Sequence, residues 1–186
     1  MKAGIISILL AIILALIPCL SALADDSGVI TITMTGASEI SIGLSQTEWP
    51  IGDVSFNTVY KTAPEKEWCT ITNTGNVNVD IYVQGEDAEW TGGMYKWILS
   101  DDETNGGDPS SSTNHEYVLW YWIAYNSTEY TLITKEQSKF WPLPGGSSLP
   151  PGEEYAKQFG LKLLTPTFFY GGRQMQTQIT ISAVAA

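Results

Sequence analysis

The residues whose spacing best suits ion binding lie between positions 101 and 108, where oxygen-bearing side chains alternate beside two glycines. Calcium is held by carboxylate and amide oxygens at closely spaced loop positions. The candidate ligands here are Asp101, Glu103, Asn105 and Asp108. The run lacks the closing glutamate and the flanking helix of an EF-hand, and a solvated acidic loop explains the same residues. Calcium binding and simple solvation therefore both stay open.

A catalytic centre is not recognisable in the sequence. The chain has a single histidine, His115, and lacks the nucleophile-elbow, zinc-helix and phosphate-loop motifs. Paired carboxylates can hydrolyse glycosides, but the acidic residues fall on predicted turns or on the polar faces of predicted strands, where solubility explains them. We therefore expect a protein that is not an enzyme and needs no cofactor, with calcium as the one candidate ion.

Aromatic side chains supply the other candidate chemistry, which is stacking on sugar rings. Trp120 and Trp122 lie in the most apolar segment, residues 117–125, where filling a core is the alternative explanation. The other tryptophans lie near predicted strand ends or turns, where either role is open: Trp49, Trp68, Trp90, Trp97 and Trp141. Glycans are therefore possible partners.

Two further side chains are reactive or can be modified. Cys69 is the only cysteine left once an export signal is removed, so no intramolecular disulfide forms. It falls on the apolar face of a predicted strand, which indicates a small buried side chain. Asn126 begins an Asn-Ser-Thr acceptor pattern on a predicted turn, so it is a glycosylation site in a cell that modifies exported asparagines.

The first 24 residues are typical of an export signal. Lys2 precedes a long apolar stretch, and a small-x-small cleavage site ends just before Asp25. We expect a secreted or cell-surface protein that begins at Asp25 and has no membrane anchor. Pro18 argues against both alternatives, a lipid anchor at Cys19 and a pilin-type leader cut after Gly4.

The formal net charge of −11 narrows the choice of partners. A strongly acidic surface repels phosphate backbones and anionic lipid, so nucleic-acid binding is not expected.

The elements that must position these side chains are predicted to be strands. Apolar residues alternate with polar ones in residues 77–83, and residues 69–73 repeat the pattern before a turn that contains Gly75. This arrangement favours a tight β-hairpin with one face on a core and the other in water.

About ten such segments, separated by turn signals, and no capped helical period predict an all-β fold. We expect an antiparallel β-sandwich, immunoglobulin-like or jelly-roll, formed by one domain over residues 25–186. A long inserted region covers about residues 94–144, and residues 100–114 are expected to be an exposed loop tip that the core does not need.

The order of several motifs resembles secreted immunoglobulin-like surface modules of the CARDB and NPCBM-associated kind. The motifs are TITNTGN, LPPGEE, FGLKLLTP, FFYGG and TQITISA, within residues 70–183. The resemblance implies a non-catalytic surface or adhesion module. More loosely, the leader, the apolar strand that follows it and the all-β layout are similar to TasA-like and camelysin-like secreted proteins, some of which build fibres.

The segment at residues 28–34 suggests how such a protein would assemble. It alternates strictly, contains no proline, and places Ile30, Ile32 and Met34 on one face close to the predicted new terminus. Donated to the next copy, it would link subunits into an extracellular filament or surface layer, a homopolymer. An ordinary strand within its own sheet explains the pattern equally well, and a carbohydrate-binding or adhesion module with surface aromatics is the alternative function.

Overall fold

The fold is built from short and medium β-strands. The computed structural model describes residues 31–111, 114–124, 129–141 and 146–186. The chain divides into two units, Met1–Gly36 and Ala37–Ala186, and all the described strands belong to the second. These strands are β1 Ile42–Leu44, β2 Val59–Lys61, β3 Cys69–Asn73, β4 Val79–Gly85, β5 Ala88–Trp90, β6 Lys96–Leu99, β7 Gly106–Gly107, β8 His115–Ile123, β9 Thr131–Ile133, β10 Ser138–Trp141, β11 Lys157–Leu164, β12 Met175–Gln176 and β13 Ile179–Ala185.

The strands form two sheets that pack against each other as a β-sandwich. The larger sheet has the order β1-β3-β11-β8-β6-β5-β12, with β2 paired to β11 and with β7 and β9 paired to β8. The smaller sheet has the order β10-β4-β13. Among the described strands every pair is antiparallel except β6 with β8. The predicted all-β sandwich is therefore confirmed.

Strand β8 lies in the middle of the larger sheet and is covered on both faces. Tyr117, Leu119, Tyr121 and Ile123 point into the core between the sheets. On the opposite face Trp120 is only 5% exposed. Val118 is also buried on this face, whereas Trp122 is half-buried. Core filling therefore accounts for Trp120, and Trp122 keeps a partly exposed ring.

The predicted β3–β4 hairpin is wrong. Strand β3 pairs with β1 and β11 in the larger sheet, whereas β4 pairs with β10 and β13 in the smaller one. The turn between them therefore crosses from one layer of the sandwich to the other. Alternation fixes which side chains face the core, and in a sandwich two such strands meet face to face across the core as readily as edge to edge.

Packing around the turn explains why it crosses between the layers. The buried Asn73 amide donates hydrogen bonds to the carbonyls of Val77 (2.8 Å) and Leu149 (2.9 Å). A Cβ on Gly75 would lie 2.3 Å from the Glu39 carbonyl oxygen, so the chain before β1 lies directly against the turn. These contacts tie the turn to its surroundings.

The described part of residues 100–114, which leaves out residues 112 and 113, is not the free loop tip that the sequence suggests. Strand β7 pairs with the start of β8. The Asn105 side chain donates to the Thr165 carbonyl (2.6 Å) and to Asn57 (2.9 Å). A Cβ on Gly107 would lie 2.4 Å from the Phe168 nitrogen. The polar composition reflects hydrogen bonding within the fold as well as solvation.

Two predictions concern residues outside those described: the export signal at residues 1–24 and the glycosylation site at Asn126. Ile30 also lies outside them. Within the described part of the chain, no helix is long and apolar enough to span a membrane.

Candidate functional site: a terminal segment and two sheet edges

The described part of the N-terminal unit, residues 31–36, contains no strand. Ile32 is 75% exposed and Met34 is 86% exposed, although both are large apolar side chains on alternate positions. Two exposed large apolar side chains so close in sequence are costly to leave in water and favour association with another surface. The sequence identified both residues as candidates.

The smaller sheet ends on one side at β13, which pairs with β4 in an unbroken register over seven residues. Within the described residues no strand pairs with its other side, so one row of backbone donors and acceptors along β13 lacks a strand partner. The core-facing residues Ile179, Ile181 and Ala183 are only partly buried. Their register partners on β4, Gly85, Val83 and Ile81, are all buried.

The opposite side of the same sheet ends at β10, which is built differently. It has four residues, and its register with β4 shifts between Lys139 and Trp141. Phe140 is 1% exposed and Trp141 is 7% exposed, so aromatic side chains seal the core at this edge. Lys139 also places a charge here, paired with Asp80 at 2.7 Å.

Three of the four candidate calcium ligands, Glu103, Asn105 and Asp108, face separate partners, and Asp101 is exposed. The backbone amide and hydroxyl of Ser110 donate to Asp108, and Asn105 bonds to Thr165 and Asn57. Glu103 accepts a hydrogen bond from the Trp120 indole at 3.4 Å. Among the described residues no group of three or more acidic, histidine or cysteine side chains has an arrangement that could hold a metal ion.

Asp102, which was not a candidate, is the best-bonded carboxylate of this segment. It accepts hydrogen bonds from the Thr104 side chain and amide and from the Ser100 hydroxyl. The bonds from Thr104 lower the pKa of Asp102. The carboxylate therefore stabilises a local turn.

Cations cover the tryptophan rings on which a sugar would stack. The Lys66 ammonium lies 3.5 Å from the centre of the Trp122 ring, and that of Lys162 lies 3.7 Å from the centre of Trp120. Lys157 and Arg173 lie 5.2 Å and 5.3 Å from two further indoles, those of Trp141 and Trp90. Each contact is a cation–π interaction, and each places a charged group over a ring face that a stacked sugar would need.

The half-buried side chain of Tyr130 contacts one of these lysine-covered rings, that of Trp122. Its ring lies 4.9 Å from that of Trp122, and its hydroxyl donates to the Glu65 carboxylate, which is also paired with Lys61 at 2.7 Å. Hydrogen bonds from Lys61 and Tyr130 lower the pKa of Glu65, and burial together with Glu65 raises the pKa of Tyr130. Burial lowers the pKa of the Lys162 ammonium.

The two residues considered for nucleophilic chemistry are both buried. Cys69 is 1% exposed, which confirms the predicted small core side chain. His115 is also 1% exposed and is packed against Phe168 and Tyr170. Burial lowers the pKa of His115.

Sequence reasoning did not identify the β13 edge or the lysine–tryptophan contacts. The β13 edge could have been suspected from the sequence, because residues 174–186 contain no charged side chain in an otherwise acidic chain. The lysine–tryptophan contacts have no sequence signal, since residues such as Lys66 and Trp122 are far apart in sequence.

Comparisons with protein-family models, with curated proteins and with solved structures found no match to this chain. The resemblance to surface modules therefore rests on the order of the sequence motifs, and the looser one to fibre-forming proteins on the leader, the apolar segment that follows it and the all-β layout.

Proposed function

We propose that the protein is a secreted, non-enzymatic structural subunit that polymerises by donating its N-terminal strand to the next copy. The observation that carries the proposal is the exposure of Ile32 and Met34 within residues 31–36, the described part of the N-terminal unit, which form no strand. An alternating segment of this kind pairs with a sheet edge and buries one face as it does so.

The energetics favour such a contact between a donated strand and the next copy, which we call the joint. Burying Ile30, Ile32 and Met34 would contribute about 1.5–3 kcal/mol each, before the cost of ordering the segment. A segment passed from one copy to the next makes a head-to-tail contact, and head-to-tail contacts that do not close into a ring produce open filaments. The motif order that resembles secreted surface modules supports the same extracellular setting.

The test is electron microscopy of the purified full chain, processed as it is in the exporting cell. Wild-type protein should form filaments, and the double substitution Ile32→Asp with Met34→Asp should leave monomers. A matched control places the same charges on the other face of the same segment, Thr31→Asp with Thr33→Asp, and should still assemble. Wild-type protein that stays monomeric at every concentration tested would exclude the proposed function.

A carbohydrate-binding or adhesion module is the alternative function, and the half-buried pair of Trp122 and Tyr130 favours it. Its weakness is that Lys66 covers the Trp122 ring. A glycan that stacks there must displace this lysine and should change tryptophan fluorescence. Such a change in monomeric protein, abolished by Trp122→Ala, would support the alternative.

A further inference from the structure

Strand β13 ends the smaller sheet without the features that normally protect a sheet edge. Natural proteins protect edges with short strands, bulges, prolines or charged side chains, because an unpaired edge recruits other strands. β13 has seven residues in regular register and contains none of these features.

The core beneath this edge is incompletely covered. Ile179, Ile181 and Ala183 continue the core-facing rows of β4, yet they remain partly exposed while the β4 residues beside them are buried. A further strand alongside β13 would cover these side chains and also satisfy the unpaired backbone groups.

From these observations we infer that β13 is the acceptor edge and that its occupant is residues 28–34 of a second copy of this chain. This inference rests on the proposed function and names the partner surface that the proposed function leaves open. Both segments have seven residues, so the whole length of one can pair with the other. The three apolar residues on one face of the donor, Ile30, Ile32 and Met34, would extend the rows that Ile179, Ile181 and Ala183 begin.

Charge favours a second copy in this position. Two copies that each carry a net charge of −11 repel each other over most of their surfaces. Residues 27–38 and 174–186 contain no charged side chain, so neither segment itself adds a side-chain carboxylate to the contact. The β10 edge instead presents the charged Lys139, which is paired with Asp80 on β4.

Disulfide trapping between two differently marked copies tests the inference. One copy carries Met34→Cys, and the other carries a single cysteine at position 179, 181 or 183 of β13. All variants carry Cys69→Ala, so that no native thiol takes part. The matched control replaces Lys139 by cysteine on the β10 edge. Neighbouring strands bring facing Cβ atoms within disulfide range, so we expect one β13 position to cross-link at least about ten times more than the control.

The outcomes separate the two proposals. Filaments that cross-link between copies through β13 support the inference. Filaments that cross-link equally or better through β10, or not at all through β13, overturn the inference and leave the proposed function intact. A cross-link within one chain, tested with Met34→Cys and Ile181→Cys in the same copy at high dilution, overturns it in favour of intramolecular pairing. Absence of filaments in the wild-type protein overturns both.

Discussion

The two edges of the small sheet flank the same strand, β4, and close the same core in opposite ways. At β10 the register is broken, a lysine is exposed, and Phe140 and Trp141 fill the space below. At β13 the strand is long, regular and uncharged, and its inward side chains are left half-covered. A core can therefore be completed by aromatic side chains from within, or left for an incoming strand to complete.

The largest expected effect on the free energy of unfolding comes from truncating a core side chain beneath the β10 edge. Phe140→Ala should lower the free energy of unfolding by about 3–5 kcal/mol, because it leaves a cavity under β10. Ile181→Ala should cost about half as much in the monomer, since its side chain is already partly exposed. Denaturant unfolding of both variants in the non-assembling Ile32→Asp, Met34→Asp background measures the difference. Equal losses at the two edges would mean that the β13 edge is already closed.

This contrast also shows what the sequence could predict and what it could not. Alternation identified the core faces of β3 and β4 correctly, because period two is a local property of the chain. The same pattern is satisfied whether β3 and β4 pair edge to edge or face each other across a sandwich. Contacts such as Asn73 to Leu149 decide between the two, and the residues involved lie far apart in sequence.

The candidate site divides in a similar way. Ile32 and Met34 could be identified from the sequence because their spacing and their closeness to the predicted terminus at Asp25 are local features. The identity of an open edge depends on the order of strands in the sheet, which no local pattern encodes. The lysines over Trp120 and Trp122 belong to the same class of non-local contact.

Protecting the open edge should weaken assembly without weakening the fold. Val184 lies on β13 and is 45% exposed, so Val184→Lys adds an edge charge at little cost to the monomer. We expect the protein concentration needed for filaments to rise about tenfold, which corresponds to about 1.4 kcal/mol per joint. Val59→Lys is the matched control, because Val59 is 50% exposed on β2 in the other sheet. Sedimentation of filaments across a concentration series measures both, and an equal shift in the control would argue against a role specific to β13.

Mild acid should destabilise the folded unit Ala37–Ala186 rather than the joint between copies. Burial lowers the pKa of His115, so the folded state favours the neutral ring. Stability from this residue is present above about pH 6.5, the usual histidine value, and declines as pH falls below it, because the unfolded chain then binds a proton more readily. His115→Gln should reduce the loss of unfolding free energy between pH 7 and pH 5, as measured by denaturant unfolding at each pH. A loss as large as in the wild type would mean that other groups cause it.

The joint itself contains no titratable side chain, because residues 28–34 and β13 are uncharged. Filaments should therefore persist through pH 7 to 5 wherever the unit Ala37–Ala186 remains folded, as circular dichroism and microscopy on the same samples can show. Release of folded monomers in this range would contradict an uncharged joint.

Salt should have the smallest effect, and its sign is informative. Copies with a charge of −11 repel each other, and raising the ionic strength from about 0.1 M to 1 M shortens the screening length from about 10 Å to 3 Å. We therefore expect added sodium chloride to lower the concentration needed for assembly a few-fold, because it weakens repulsion and leaves strand pairing intact. If instead the joint depended on lysines such as Lys66 and Lys162 meeting acidic residues of the next copy, salt would dissolve the filaments. The variant Lys66→Gln with Lys162→Gln separates the two cases: it should respond to salt as the wild type does if uncharged strands form the joint, and should fail to assemble if ion pairs form it.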